Sequence, residues 1–129
     1  MAVEQEQELF DKLCSGIPLT VEEAKTLTPT REEFAALWRY LSARAGEEPL
    51  EDTALHLSRS VARAYGLRET FVCTLVCLEV MHEQGLIRVE KRSDHLLIRT
   101  TPPAGKVDLE SSALMRRLRR STERATETR

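Results

Sequence analysis

Residues 66–90, GLRETFVCTLVCLEVMHEQGLIRVE, decide the reading of this chain. Gly66 and Gly85 bracket a helical segment from Glu69 to Gln84, since glycine readily takes the left-handed conformation that ends a helix. Beyond Gly85 the apolar period changes from 3.6 to 2. Leu86-Ile87-Arg88-Val89-Glu90 alternates, as does part of His95-Leu96-Leu97-Ile98-Arg99, around the polar turn Lys91-Arg92-Ser93-Asp94. A helix followed by a β-hairpin is predicted.

Upstream, Ala54, Leu57, Val61, Ala64 and Tyr65 make one apolar stripe, with Arg59 and Arg63 opposite it and Gly66 as its stop. Only Leu67 and Arg68 separate this helix from the next, which predicts the tight junction of a helix-turn-helix. Further back, Thr30-Arg31-Glu32-Glu33 is a capping box that starts a helix carrying Phe34, Leu37, Trp38, Leu41 and Ala45 on one face. Gly46 is placed to end it in a left-handed cap. Three helices and a hairpin in this order predict an α+β, mainly α fold: a winged-helix-like core over residues 29–100. The lead-in, residues 1–28, holds a short amphipathic helix from Glu4 to Gly16 and a second at Val21 to Leu27. Residues 101–129 form a C-terminal segment in which Leu114, Met115 and Leu118 predict a short helix from about Ser111, followed by a frayed tail from Ser121.

A length of 129 residues suits one core and no second one. Apolar residues make up 41% of the chain and charged ones 31%, a globular balance, and no apolar run approaches the roughly 18 residues that span a bilayer. The start, Met1-Ala2-Val3-Glu4-Gln5-Glu6, lacks the basic flank and apolar run of a secretory signal, so a cytoplasmic location is expected. Cys14, Cys73 and Cys77 fit no disulfide framework and are expected to be reduced. The net charge of −2 hides a gradient: residues 1–30 carry six acids against two bases, and residues 106–129 carry four acids against seven bases.

The helix from Glu69 sets the choice of partner. Phe71, Leu75, Leu78 and Met81 supply a core stripe, which leaves Val72, Val76 and Val80 as a second apolar row among Glu69, Glu79 and Glu83. Valine and glutamate match phosphate poorly, so this helix is not expected to read DNA. Either the terminal helices cover the row, through Leu9, Phe10 and Leu13 or Leu114 and Leu118, or the row is a candidate surface for another protein. Arg88, Lys91, Arg92 and Arg99 on the hairpin, with Arg116, Arg117, Arg119 and Arg120 on the last helix, are candidate contacts for nucleic acid or an acidic partner.

No motif of catalysis is present: there is no glycine-rich phosphate loop, His-Glu-x-x-His, Cys-x-x-Cys or Gly-x-Ser-x-Gly. Cys73-x-x-x-Cys77 places two sulfurs on one helical face, and His82 or His95 would have to complete a metal site. The flanking Val72, Val76 and Leu78 make a packed apolar surface the simpler account. His56 reads as a surface residue. No catalytic residue, metal ligand or cofactor is assigned to this chain.

Three stretches together carry a family resemblance: Leu27-Thr28-Pro29-Thr30-Arg31-Glu32-Glu33-Phe34 with Trp38-Arg39-Tyr40-Leu41; Leu78 to Ile87; and Gly105-Lys106-Val107-Asp108-Leu109-Glu110-Ser111-Ser112 with Leu118. In order and spacing they resemble the C-terminal domain of RecJ-type single-stranded-DNA-specific exonucleases, over about Leu9 to Leu118. The resemblance implies a parent enzyme that degrades single strands from the 5′ end with manganese or magnesium in DNA recombination and repair. The family's Asp-His-His metal core has no counterpart in this sequence. What the resemblance implies for this chain is a non-catalytic role: docking on the exonuclease catalytic core, contacting single-stranded-DNA-binding protein, or helping to hold DNA. A free-standing winged-helix nucleic-acid-binding protein is the alternative expectation.

Overall fold

The computed structural model describes residues 3–45, 48–101 and 111–127, with side chains through Thr122. The order is α1 (Val3–Cys14), α2 (Val21–Leu27), α3 (Arg31–Arg44), β1 (Leu50–Asp52), α4 (Ala54–Tyr65), α5 (Phe71–Glu83), β2 (Ile87–Lys91), β3 (Leu96–Thr100) and α6 (Ala113–Glu127). The chain is mainly helical, with a small three-stranded antiparallel sheet. None of the described helices is long and apolar enough to cross a membrane.

Threonine begins four of the helices. Thr20 and Thr30 each accept from the amide three residues on, and Glu23 and Glu33 reach back to the Thr20 and Thr30 amides, which completes two capping boxes. Thr53 and Thr70 cap α4 and α5 in the same way, without the reciprocal carboxylate. Each such cap contributes about 0.5–2 kcal/mol. Gly66 and Gly85 end α4 and α5 at φ +64 and +76. The amide of the following residue then turns back to the helix: Leu67 to the Ala62 carbonyl at 3.0 Å, Leu86 to that of Met81 at 2.9 Å. The cap expected at Gly46 lies outside the described residues.

The sheet runs β1-β3-β2, with Leu50 opposite Ile98 and Ile98 opposite Val89. The strand β1 was not expected from the sequence: Leu50 to Asp52 is too short to show a period. Ile98 is fully buried, while Arg88 and Arg99, paired across β2 and β3, are exposed on the other face. Thr100 anchors β3 to the end of α3, its hydroxyl donating to the Ala45 carbonyl at 2.8 Å.

At the centre lies α5, against which α1, α2, α3, α4, α6 and β2 all pack. Val72, Val76 and Val80 are each 0% exposed, within one core that also holds Leu13, Leu27, Leu41, Leu57, Ile98 and Leu118. The valine row is therefore corrected from a candidate partner surface to core. The physical reason is burial energy: each covered valine contributes about 1.5 kcal/mol or more, and helices from both ends of the chain supply the cover. Two further expectations change. Ala64 and Tyr65 are exposed, because the α4 stripe outruns the elements that cover it, and α6 continues as helix to Glu127 where a frayed tail was expected.

Candidate docking groove

Of the two apolar rows on α5, the one that meets open space is Phe71, Leu75 and Leu78. Together with Phe10 of α1, Val89 of β2 and Leu96 of β3 they line a groove of about 340 Å³ between α1, α5 and the hairpin. Phe10, Phe71 and Leu78 are buried, whereas Leu75, Val89 and Leu96 are half-covered and form its accessible floor. Of the predicted core stripe, Phe71, Leu78 and Met81 are buried as expected, and Leu75 alone is left half-covered at the groove. A helix apolar all round offers no internal signal for which row stays open.

The groove's rim is charged. Lys91 Nζ lies 3.8 Å from Glu79 Oε1, and Arg92, which also lines the groove, has its guanidinium 3.2 Å from Glu90 Oε1. The turn is closed by the Arg92 amide donating to the His95 carbonyl at 2.9 Å. Within it His95 Nδ1 and Asp94 Oδ1 are 2.7 Å apart. That hydrogen bond, and then the charge of the imidazole, hold the Asp94 carboxyl below its ordinary range. Lys91 and Arg92 remain largely exposed, and such surface pairs are worth about 0–1 kcal/mol, so both can turn to a ligand carboxylate at small cost.

The remaining predicted contacts are distributed over other elements. Arg88 and Arg99 stand opposite one another on the outer sheet face, and Arg116, Arg119 and Arg120 are exposed on α6. Arg117 is half-buried, with Nη1 donating to the Leu13 carbonyl at the end of α1. This corrects its assignment from partner contact to internal clamp, a guanidinium on the carbonyl end of a helix. The first turn of α6 is held by a carboxylate: Glu83 Oε1 accepts from the Ala113 amide at 2.7 Å.

Two of the three cysteines are taken up by packing, and Cys14 is exposed. Cys73 and Cys77 are buried, Cys73 Sγ lies 3.3 Å from the Thr26 carbonyl, and desolvation pushes the Cys73 thiol up to about 11 and that of Cys77 well above its ordinary value. His82 accepts from the Val89 amide and His95 sits on the groove rim, so neither joins the two sulfurs. Among the described residues no three His, Cys, Asp or Glu side chains are grouped to hold a metal ion. His56 is a surface residue, paired with Asp52 at 2.8 Å. No family model, curated protein or solved structure matches the chain.

Proposed function

We propose that this chain is a non-catalytic docking module of a RecJ-like 5′-3′ single-stranded-DNA exonuclease. In this reading the groove between α1, α5 and the hairpin takes an extended segment of a partner. The order helix, strand, helix, helix, hairpin, with β1 added to the hairpin's edge, supports the finer reading as a winged helix. The observation that carries the docking role is the accessible apolar floor of Leu75, Val89 and Leu96 beneath a rim that holds Lys91 and Arg92. Apolar side chains of a bound segment would fill the floor, and its carboxylates would meet the two exposed cations. The acidic C-terminal tail of single-stranded-DNA-binding protein has this chemistry, and the exonuclease catalytic core is the other partner implied by the resemblance.

Calorimetric titration with single-stranded-DNA-binding protein tests the reading. Binding is expected with the intact protein, is lost when its tail is removed, and weakens more than about tenfold in Leu75→Gln and in Lys91→Glu. Equal binding with and without the tail, or no effect of Leu75→Gln, would sink it. The reading assigns no chemistry to this chain, so a nuclease assay with manganese is expected to stay at background.

A further inference from the structure

The helix α4 carries His56, Arg59 and Arg63 along one exposed side and has no carboxylate anywhere in its sequence. Beside it, α3 brings Tyr40 and Arg44 to the same surface. With Ser60 and Ala64 these residues line a groove of about 460 Å³ whose lining contains three guanidinium groups, one imidazole and no carboxylate. Two carboxylates border this lining, Asp52 at 2.8 Å from His56 and Glu69 at 2.9 Å from Arg59, so the excess positive charge of the face rests on Arg44 and Arg63.

Arg44 and Arg63 are presented rather than consumed. Arg44 lies over the Tyr40 ring, 3.9 Å from the centroid. Stacking uses the flat face of a guanidinium and leaves its edge of N–H donors for an oxyanion. Arg59 meets Glu69 through Nε at 2.9 Å, but both side chains are more than half exposed, so the pair is screened and exchangeable. Arg63 follows one turn later on the same side, about 5–6 Å along the helix surface.

The chemistry of the anion follows from what the face lacks. Tyr40 is buried beneath Arg44 and Ala64 is small, so the groove has no apolar pocket to anchor the side chains of an acidic peptide, which would gain only weak surface pairs. Nucleic acid presents phosphates in series and releases condensed counterions when they are neutralised, a gain that needs no pocket. Among the residues that line this groove no aromatic face is open for stacking, so bases are not read there. We propose that the α3–α4 face binds the phosphate backbone of a nucleic-acid strand through Arg44, Arg59 and Arg63, independently of sequence. This proposal does not rest on the docking groove, which is lined by different residues.

Fluorescence anisotropy of the full chain with a labelled oligo-dT strand, and separately with a duplex, tests it. Three neutralised phosphates on a single strand predict a log–log salt slope of about −2 between about 50 and 200 mM salt. Arg59→Gln with Arg63→Gln is expected to weaken binding more than about tenfold and to reduce that slope by about 1.4. Arg44→Gln, on the other helix, should also weaken binding, whereas Arg88→Gln with Arg99→Gln and Leu75→Gln should leave it within about twofold. Duplex binding with the same dependence on Arg59 and Arg63 would support a backbone site indifferent to strandedness. No binding at low salt, a loss caused equally by the hairpin variant, or equal competition by an oligoglutamate of matched charge would overturn the proposal. Amide shift mapping on the unsubstituted chain gives a readout free of any folding defect: shifts centred on α4 support the site, and shifts centred on the hairpin refute it.

Discussion

The Arg117 guanidinium donates to the Leu13 carbonyl across 104 positions of sequence, and so fastens the last helix to the end of the first. A charge-assisted bond to a half-buried carbonyl is worth about 1.5–3 kcal/mol. Arg117→Ala is therefore expected to lower stability by about 1–3 kcal/mol, while Arg116→Ala and Arg120→Ala change it by less than about 0.5 kcal/mol. Urea denaturation of the three variants makes the comparison, and equal effects at all three positions would show that Arg117 is no clamp.

Leu75 and Val76 are sequence neighbours with opposite fates, one on the groove floor and one at 0% exposure. Placing an amide at Val76 strands its polar atoms in the core, so Val76→Asn is expected to cost about 3 kcal/mol or more. Leu75→Gln keeps access to solvent and should leave the chain folded. Thermal melts followed by circular dichroism separate the two.

Thiol reactivity should follow burial. Cys14 is exposed, and partial desolvation together with the Glu79 charge raises its thiol above the ordinary value, so it reacts slowly at neutral pH and faster as pH rises. Cys73 and Cys77 should react only when the protein unfolds. Titration with an aromatic disulfide reagent is expected to show one accessible thiol in the native state, removed by Cys14→Ser, and two more in denaturant.

Glu23 gives a pH signature. The Thr20 amide, and then Lys12 at 2.9 Å, hold its carboxyl below the ordinary value of 4.5. A carboxylate whose pKa is depressed on folding contributes stability that is fully present above the unfolded value and is lost as pH falls through the folded one. The start of α2 should thus stay intact down to about pH 4.5 and loosen below it. Carbon-detected NMR titration should place the Glu23 midpoint under 4.5. Lys12→Met should bring that midpoint back toward the ordinary value, and an unmoved midpoint would contradict the assignment.

Local signals were legible and long-range ones were not. The box at Thr30 and Glu33, the stop at Gly66 and the hairpin around residues 91–94 are set by residues within four positions of one another, and the structure has all three. The strand β1 escaped because Leu50, Glu51 and Asp52 are drawn into the sheet by Leu96 to Ile98, far along the chain. The site was harder. Periodicity shows that α5 is apolar on two sides, but the choice between Val76 and Leu75 as the open side depends on where α1, α2 and α6 come to lie, and nothing local records that. Arg59 and Arg63 were visible as the far side of α4, whereas the approach of Arg44 from α3 was not.

The central position of α5 also has a meaning in time. Ala113, which opens α6, follows its partner Glu83 at the end of α5 by 30 residues. At roughly 5–20 residues per second, a ribosome releases α5 about 2–6 seconds before α6. Through that interval α1 to α4 can already assemble around α5, while the place of Leu118 stands open. The nascent domain therefore passes through a stage with one uncovered apolar seam, when a chaperone or another nascent chain has its best access to the protein's interior.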